Sequence, residues 1–163
     1  MGNKLNFRQK VDIKNDFSLP IALRLEQYES KKLQVDIHVE ENVTINAPRR
    51  EFRQACSHLV DNSLKFSPPM TTVCINLAAN GDGGCILTIT DQGQGIPAEY
   101  HEKVFKRYYQ VSQGDAREQN GLGVGLTIAR IIARSLEGEV TILPAEHGCI
   151  VQMILPPAQP DMP

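Results

Sequence analysis

Apolar positions along the chain recur with two different periods, and the switches between them set the expected order of elements. Lys10 to Phe17 alternates weakly through Val11 and Ile13 and reads as a short strand. Ser18 can cap a helix with Pro20 in its first turn; Ile21, Leu23, Leu25 and Tyr28 are its apolar positions, and it ends by about Lys32. Leu33, Val35, Ile37 and Val39 alternate strictly with polar residues, as in a half-buried strand. A short strand is expected around Thr44–Ile45, after which Asn46 and Pro48 open a helix over about 48–66. Thr71–Ala79 and Cys85–Asp91 read as strands joined through the hairpin loop Asn80-Gly-Asp-Gly-Gly84. Ala98–Tyr109 is expected as a short helix with Val104, Phe105 and Tyr108 on its apolar side. A further amphipathic helix carries Ile128, Ile131, Ile132 and Leu136 at helical spacing, with Arg130 and Arg134 between them. Gly138 ends it, and Glu139–Leu143 and Cys149–Leu155 form a closing hairpin.

The chain has 163 residues, enough for one domain with a real core, and a net charge of −2, which offers nothing for non-specific binding to nucleic acid or anionic lipid. No apolar run approaches the roughly 18 residues that span a bilayer, and the N-terminus lacks a signal-peptide core. Cys56, Cys74, Cys85 and Cys149 lack metal-site spacing and sit among apolar or β-prone neighbours, so they read as buried free thiols. A cytoplasmic location fits these features. Residues 1–10 read as a remnant of a preceding element or a linker, 11–156 as the folded domain, and 157–163 as a Pro-rich tail.

Three stretches carry candidate chemistry. In the 48–66 helix, Phe52, Cys56, Leu59, Val60 and Ser63 cluster on the side that packs on the core. His58, Asn62 and Lys65, at i, i+4 and i+7, form a second stripe: an imidazole, an amide oxygen for a metal ion and an ammonium for phosphate. The alternative is an ordinary solvated helix face. Leu87, Ile89 and Asp91 share one face of their strand, so a carboxylate ends an inward row and needs a partner. The glycines of Gln92-Gly-Gln-Gly-Ile-Pro97 leave room beside it for a flat ring such as adenine, although an Asp-Gly turn is also common. Gly121, Gly123 and Gly125 lead into the later helix, where exposed backbone N–H groups and the helix dipole suit a phosphate, or where the glycines supply only a flexible turn. The polar stretch Gln110–Asn120 before them reads as a lid.

Together these stretches resemble the ATP-binding catalytic domain of bacterial sensor histidine kinases, within the superfamily that holds type II topoisomerases, mismatch-repair ATPases and heat-shock chaperones. His58-Leu-Val-Asp-Asn-Ser-Leu-Lys-Phe-Ser67 resembles the N box, and Asp91-Gln-Gly-Gln-Gly95 the first glycine box. Val104-Phe-Lys-Arg-Tyr-Tyr-Gln110 resembles the F box, and Gly121-Leu-Gly-Val-Gly-Leu126 the second glycine box. The four occur in the family's order over about residues 10–156. The resemblance implies an α/β two-layer sandwich of the Bergerat type: a mixed, mostly antiparallel sheet with three main helices on one face. The other face is expected to be more polar, or to cover another domain.

The resemblance also implies roles. Asn62 would hold Mg²⁺, Lys65 would contact phosphate, and Asp91 would accept from the adenine amine, with Phe66, Gly93, Gly95 and Ile96 around the base. Gly121, Leu122, Gly123, Val124, Gly125 and Leu126 would lie at the phosphates, and Phe105 and Tyr108 would anchor a lid over about 110–120. The implied activity is transfer of the γ-phosphoryl group of Mg-ATP to a histidine, with ATP and Mg²⁺ as cofactors. Position 58 holds His where the hydrolase branches carry a glutamate, and His58 would polarise a nucleophile or orient Asn62. Gln110 stands where many of these kinases carry an arginine, with Arg107 and Arg117 as possible substitutes. None of His38, His58, His101 and His147 lies in a phosphoacceptor motif, so the acceptor is expected on a separate dimerisation domain of a longer kinase. The further partner would be a response regulator, and any membrane link would run through the parent protein. Two other readings share the boxes: a regulatory ATP-binding module without transfer, and a serine kinase of the anti-sigma-factor kind.

Overall fold

The computed structural model describes residues 8–81, 83–109 and 124–157. In chain order its elements are β1 (Arg8–Lys10), α1 (Leu19–Glu26), β2 (Gln34–Val39), β3 (Thr44–Asn46), α2 (Arg49–Phe66) and β4 (Thr72–Asn80). Then follow β5 (Gly84–Asp91), α3 (Gly125–Ser135), β6 (Glu139–Leu143) and β7 (Cys149–Leu155). Five strands form one sheet in the order β2-β4-β5-β7-β6, parallel between β2 and β4 and antiparallel elsewhere. The parallel step is crossed by α2, as a parallel pair requires.

Period-two alternation decides which side chains meet the helices. Val73, Ile75 and Leu77 of β4, Cys85, Leu87 and Ile89 of β5, Val151, Met153 and Leu155 of β7 and Val140 and Ile142 of β6 all point into the core. From α2, Phe52, Cys56, Leu59, Val60 and Ser63 are buried against them, the side that helical spacing selects. The opposite face of the sheet is mixed in character. His38, Asn76, Thr88, Gln152 and Thr141 stand in register across all five strands as a polar band. Cys56, Cys85 and Cys149 are buried free thiols, while Cys74, on the outer face, is half-buried.

The structure corrects the expectations for the segment before α2, the stretch 98–109 and the face of α3. The segment 10–17 is not a strand: β1 ends at Lys10, pairs with β3 in a separate two-stranded sheet, and gives way to a π-helical turn at Ile13–Ser18. The reason is polar. Asp12 accepts from the Asn15 N–H, and Asp16 is drawn inside, where its carboxylate meets Arg49 and Arg53 of α2 and the Asp12 N–H. Ser18 is therefore already helical and makes no side-chain cap. In α1, Leu23 is 66% exposed because two residues turn it about 200° away from the buried Ile21.

The stretch 98–109 is not one helix but two short helical turns, Ala98–Tyr100 and Lys103–Phe105. Its bonds run sideways: the His101 ring meets the Ile96 carbonyl oxygen at 2.7 Å, and Tyr108 adopts φ 62° with 71% of its surface exposed, off the apolar side. In α3 the core face is Leu126, Ala129 and Ala133, and Ile131 is 53% exposed. Small residues on this face let α3 lie close to α2, and this closeness overrides the larger isoleucines.

Asp16 ties the turn before α1 to α2, so we expect Asp16→Asn to keep the shape, lose the charge-assisted bonds and cost about 2–3 kcal/mol in urea unfolding. A loss under about 0.5 kcal/mol would show that apolar contacts alone hold the segment.

Candidate functional site

β5 runs its inward row to the end of the strand, and there the row changes from Leu87 and Ile89 to Asp91, which is 3% exposed. Burial pushes the Asp91 carboxyl above its ordinary range, and the Gly93 N–H, the Ser63 hydroxyl and the Cys149 backbone N–H pull it partway back. The Gly93 N–H donates to Asp91 Oδ1 at 2.9 Å. The carboxylate is thus held in place by the loop after it, by α2 and by β7.

Backbone crowds this spot. A Cβ on Gly93 would stand 2.7 Å from the Phe66 carbonyl oxygen, so the last turn of α2 rests directly on the glycine loop. Gly95 (φ 74°) and Gly148 (φ 70°) both take left-handed conformations. A side chain on Gly95 would press to 2.6 Å on the Gly148 carbonyl oxygen, and one on Gly148 would collide with the Asp91 carbonyl oxygen. Gly148 escaped the sequence reading because it belongs to no box; the signal was an isolated glycine one residue before a strand. A cleft of about 560 Å³ opens between this loop and the β6–β7 hairpin, with Gln92, Gly95, Ile96, His147 and Cys149 in its wall.

On α2, His58, Asn62 and Lys65 are half-buried and lie on one stripe, as their spacing requires. A Cβ on Gly125 would lie 3.7 Å from His58 Nδ1, which places the start of α3 beside the head of the stripe. Burial holds the His58 imidazole below its ordinary pKa, the Arg24 guanidinium lowers it further, and Asp61 opposes them, so the ring is neutral at pH 7. Arg24 pairs with Asp61 at 3.2 Å and donates to the Ser57 hydroxyl at 2.9 Å, joining α1 to α2. At the other end of the stripe the Lys65 ammonium lies 5.3 Å from the centroid of the Phe66 ring. Lys31 caps that end: its ammonium donates to the carbonyls of Leu64, Lys65 and Ser67, which a helix C-terminus leaves unpaired.

Phe105 is buried, and its carbonyl accepts from the Thr127 hydroxyl of α3 at 2.7 Å. Val124 and Leu126 flank Gly125 at the start of α3. Tyr108 points to solvent, away from this group. The fold thus gathers Asp91, Gly93, Gly95, Ile96 and Phe66 at one end and His58, Asn62, Gly125 and Phe105 along α2 and α3. Gly121, Leu122, Gly123, Gln110, Arg117 and the expected lid over 110–120 lie outside the described residues. Arg107 is exposed on the turn after Phe105. Of the other histidines, His38 and His147 are exposed, and His101 is bonded to Ile96. Among the described residues no group of three or more His, Cys, Asp or Glu could hold a metal ion unaided, and no helix is long and apolar enough to cross a membrane.

A buried carboxylate on a glycine loop, a polar helix stripe and a helix start beside it, all on the helical side of a mixed sheet, define a nucleotide-binding α/β sandwich. The chain belongs to the family of histidine kinase-, DNA gyrase B- and HSP90-like ATPases, whose model matches residues 47–159. Within that family its relatives include sensor proteins and sensor histidine kinases. The swarming motility regulation sensor protein RssA of Serratia marcescens is 28% identical over 134 residues, 82% of this chain and 28% of that protein. The chain therefore spans little more than a quarter of the length of such relatives. Among solved structures, the mycobacterial sensor histidine kinase MprB superposes with a TM-score of 0.72 at 24% identity, covering 95% of this chain and all of that one. Full-length ShkA, solved in complex with AMPPNP, superposes at 0.78 with 20% identity, over 95% of this chain and 32% of that one. At these identities the two superpositions show the fold.

Because Gly148 packs on the Asp91 backbone, Gly148→Ala is expected to lower stability by about 2 kcal/mol or more in thermal unfolding. Gly81→Ala, with open space around its position, should change it by less than about 0.5 kcal/mol.

Proposed function

We propose that this domain binds Mg-ATP in the space between α2, α3 and the Asp91 loop, and supplies the γ-phosphoryl group to a histidine on a separate dimerisation and phosphoacceptor domain. A response regulator would then receive it. The observation that carries the reading is the Asp91 arrangement: a buried carboxylate, held by its own loop, Ser63 and the Cys149 N–H, at the end of a strand and beside a glycine that admits α2 backbone. Such a carboxylate prefers a donor, and the exocyclic amine of adenine is one. The AMPPNP complex of ShkA, which shares the fold, supports the same ligand class.

Asn62 fits a magnesium role because it stands mid-stripe, one turn from His58 and nearly one from Lys65. Bound Mg²⁺ takes few protein ligands, so one amide oxygen is a sufficient share. When bound, the ion neutralises charge on the phosphates. Lys65 would add an ammonium from the far end of the stripe, and the first N–H groups of α3 near Gly125 would suit a phosphate. His58, neutral at pH 7 and next to Gly125, can accept a hydrogen bond and orient Asn62. Transfer then depends on position and charge more than on covalent chemistry by the protein. None of His38, His58, His101 and His147 lies in a phosphoacceptor motif, which supports an acceptor on another domain.

The deciding experiment is calorimetric titration with a non-hydrolysable ATP analogue, with and without Mg²⁺ and with GTP as control, followed by addition of a phosphoacceptor domain. Saturable, adenine-selective binding and an acid-labile product are expected. Acid-stable product would point to serine instead, and binding without transfer to a regulatory module.

Asp91→Asn should weaken the analogue by about 1.5–3 kcal/mol, tenfold or more, and unchanged affinity would remove Asp91 from the pocket. The pH dependence has a definite sign. Adenine favours the ionised carboxylate, whereas burial raises the pKa of the free site. Affinity should therefore fall as pH drops through that raised value, and Asp91→Asn should flatten the acid limb. Asn62→Ala is expected to abolish the Mg²⁺ dependence of binding; a variant that still responds to the metal would place the ion elsewhere.

A further inference from the structure

Arg130 lies in the middle of α3, between isoleucines in the sequence, yet only 8% of it is exposed. Its guanidinium stacks 4.2 Å from the centroid of the Phe105 ring. Its two terminal nitrogens donate to the two Glu102 carboxylate oxygens at 2.8 and 3.3 Å, and Nε donates to Glu139 Oε1 at 2.7 Å. One turn earlier, Thr127 bonds the Phe105 carbonyl. Glu139 is itself held by Arg134 and by the Val140 N–H. One side chain thereby ties together the turn at 102–105, α3 and the first residue of β6.

Only a guanidinium can do all of this at once. It is flat enough to stack on a ring and forked enough to engage a carboxylate through two nitrogens, whereas an ammonium is a point donor. The turn it holds has little structure of its own, only three helical residues at Lys103–Phe105. Side chains on α3 therefore decide where Phe105 sits. The charge of Arg130 is already matched by two carboxylates, which leaves it poorly suited to bind phosphate directly.

We propose that Arg130 is a positioning residue for nucleotide binding, fixing the Phe105 turn against α3 so that Phe105 and Gly125 face the Asn62 stripe at a set separation. This rests on the reading of the same space as the ATP site. The residue acts through Phe105 and the helix start, not through contact with ligand.

The test uses the whole chain and four forms: wild type, Arg130→Met, Arg130→Lys and Glu102→Gln. Amide hydrogen exchange is followed without nucleotide, and affinity is measured with a non-hydrolysable ATP analogue. In Arg130→Met, amides of 102–109 should exchange about tenfold faster or more while those of β4 and β5 keep their protection. Analogue affinity should fall about tenfold, with Arg130→Lys recovering little of it. Glu102→Gln changes an exposed carboxylate at little cost in stability, so it remains informative if Arg130→Met does not fold. It should move exchange and affinity in the same direction by about threefold. Unchanged exchange at 102–109, uniform loss of protection across the sheet, or wild-type affinity in Arg130→Lys would each overturn the proposal. A wild-type chain that bound no analogue would instead overturn the ATP reading of the site, and the positioning role with it.

Discussion

Asp91 sits at the end of a buried strand, where a carboxylate without partners would be costly, and most of the local structure answers that constraint. The Gly93 N–H, the Ser63 hydroxyl and the Cys149 N–H converge on it from three elements. Gly93 admits the α2 carbonyl of Phe66, and Gly148 closes on the Asp91 backbone from the β6–β7 hairpin. The partners do not restore the ordinary pKa of the group. Burial outweighs them, so the group stays above its ordinary range.

The same economy governs the helices. α2 presents an apolar face to the sheet and a polar stripe beside α3, so one helix serves both the core and the chemistry. Its ends are held by outside groups: Asp16 pairs with Arg49 and Arg53 in its early turns, and Lys31 caps the last carbonyls. α3 uses alanines toward α2, which brings Gly125 within reach of His58. These contacts set the start of α3 beside His58 and tie Phe105 to α3 through Thr127.

Ionic contacts here do more than decorate the surface. Glu139 is held down to about 2 by Arg130, Arg134 and the Val140 N–H against the opposing effect of burial. A carboxylate with a depressed pKa contributes its stability above the unfolded value near 4.5 and loses it as pH falls through the folded value. The tie between α3 and β6 is therefore at full strength at neutral pH and fades only in strong acid.

Periodicity determined much of this protein without any tertiary information. Strict alternation marked β2, and helical spacing marked α2 and its buried side, because burial on one face leaves a repeat that local sequence records. The spacing of His58, Asn62 and Lys65 was equally legible, since a helix converts spacing into a shared face. Where the reading failed, partners distant in the chain had decided the outcome. The segment 10–17 coils because Asp16 finds Arg49 and Arg53, more than thirty residues away. The stretch 98–109 breaks into turns because its bonds go to Ile96 and α3. Ile131 faces outward and Arg130 inward because close approach to α2 rewards Ala129 and Ala133, and Glu102, Glu139 and Phe105 together satisfy a buried guanidinium. Sequence alone thus determined most of the strands, the main helix and its polar stripe. Only the tertiary structure decided how Phe105, Gly148 and Arg130 are arranged around them, since those placements depend on contacts that no local repeat encodes.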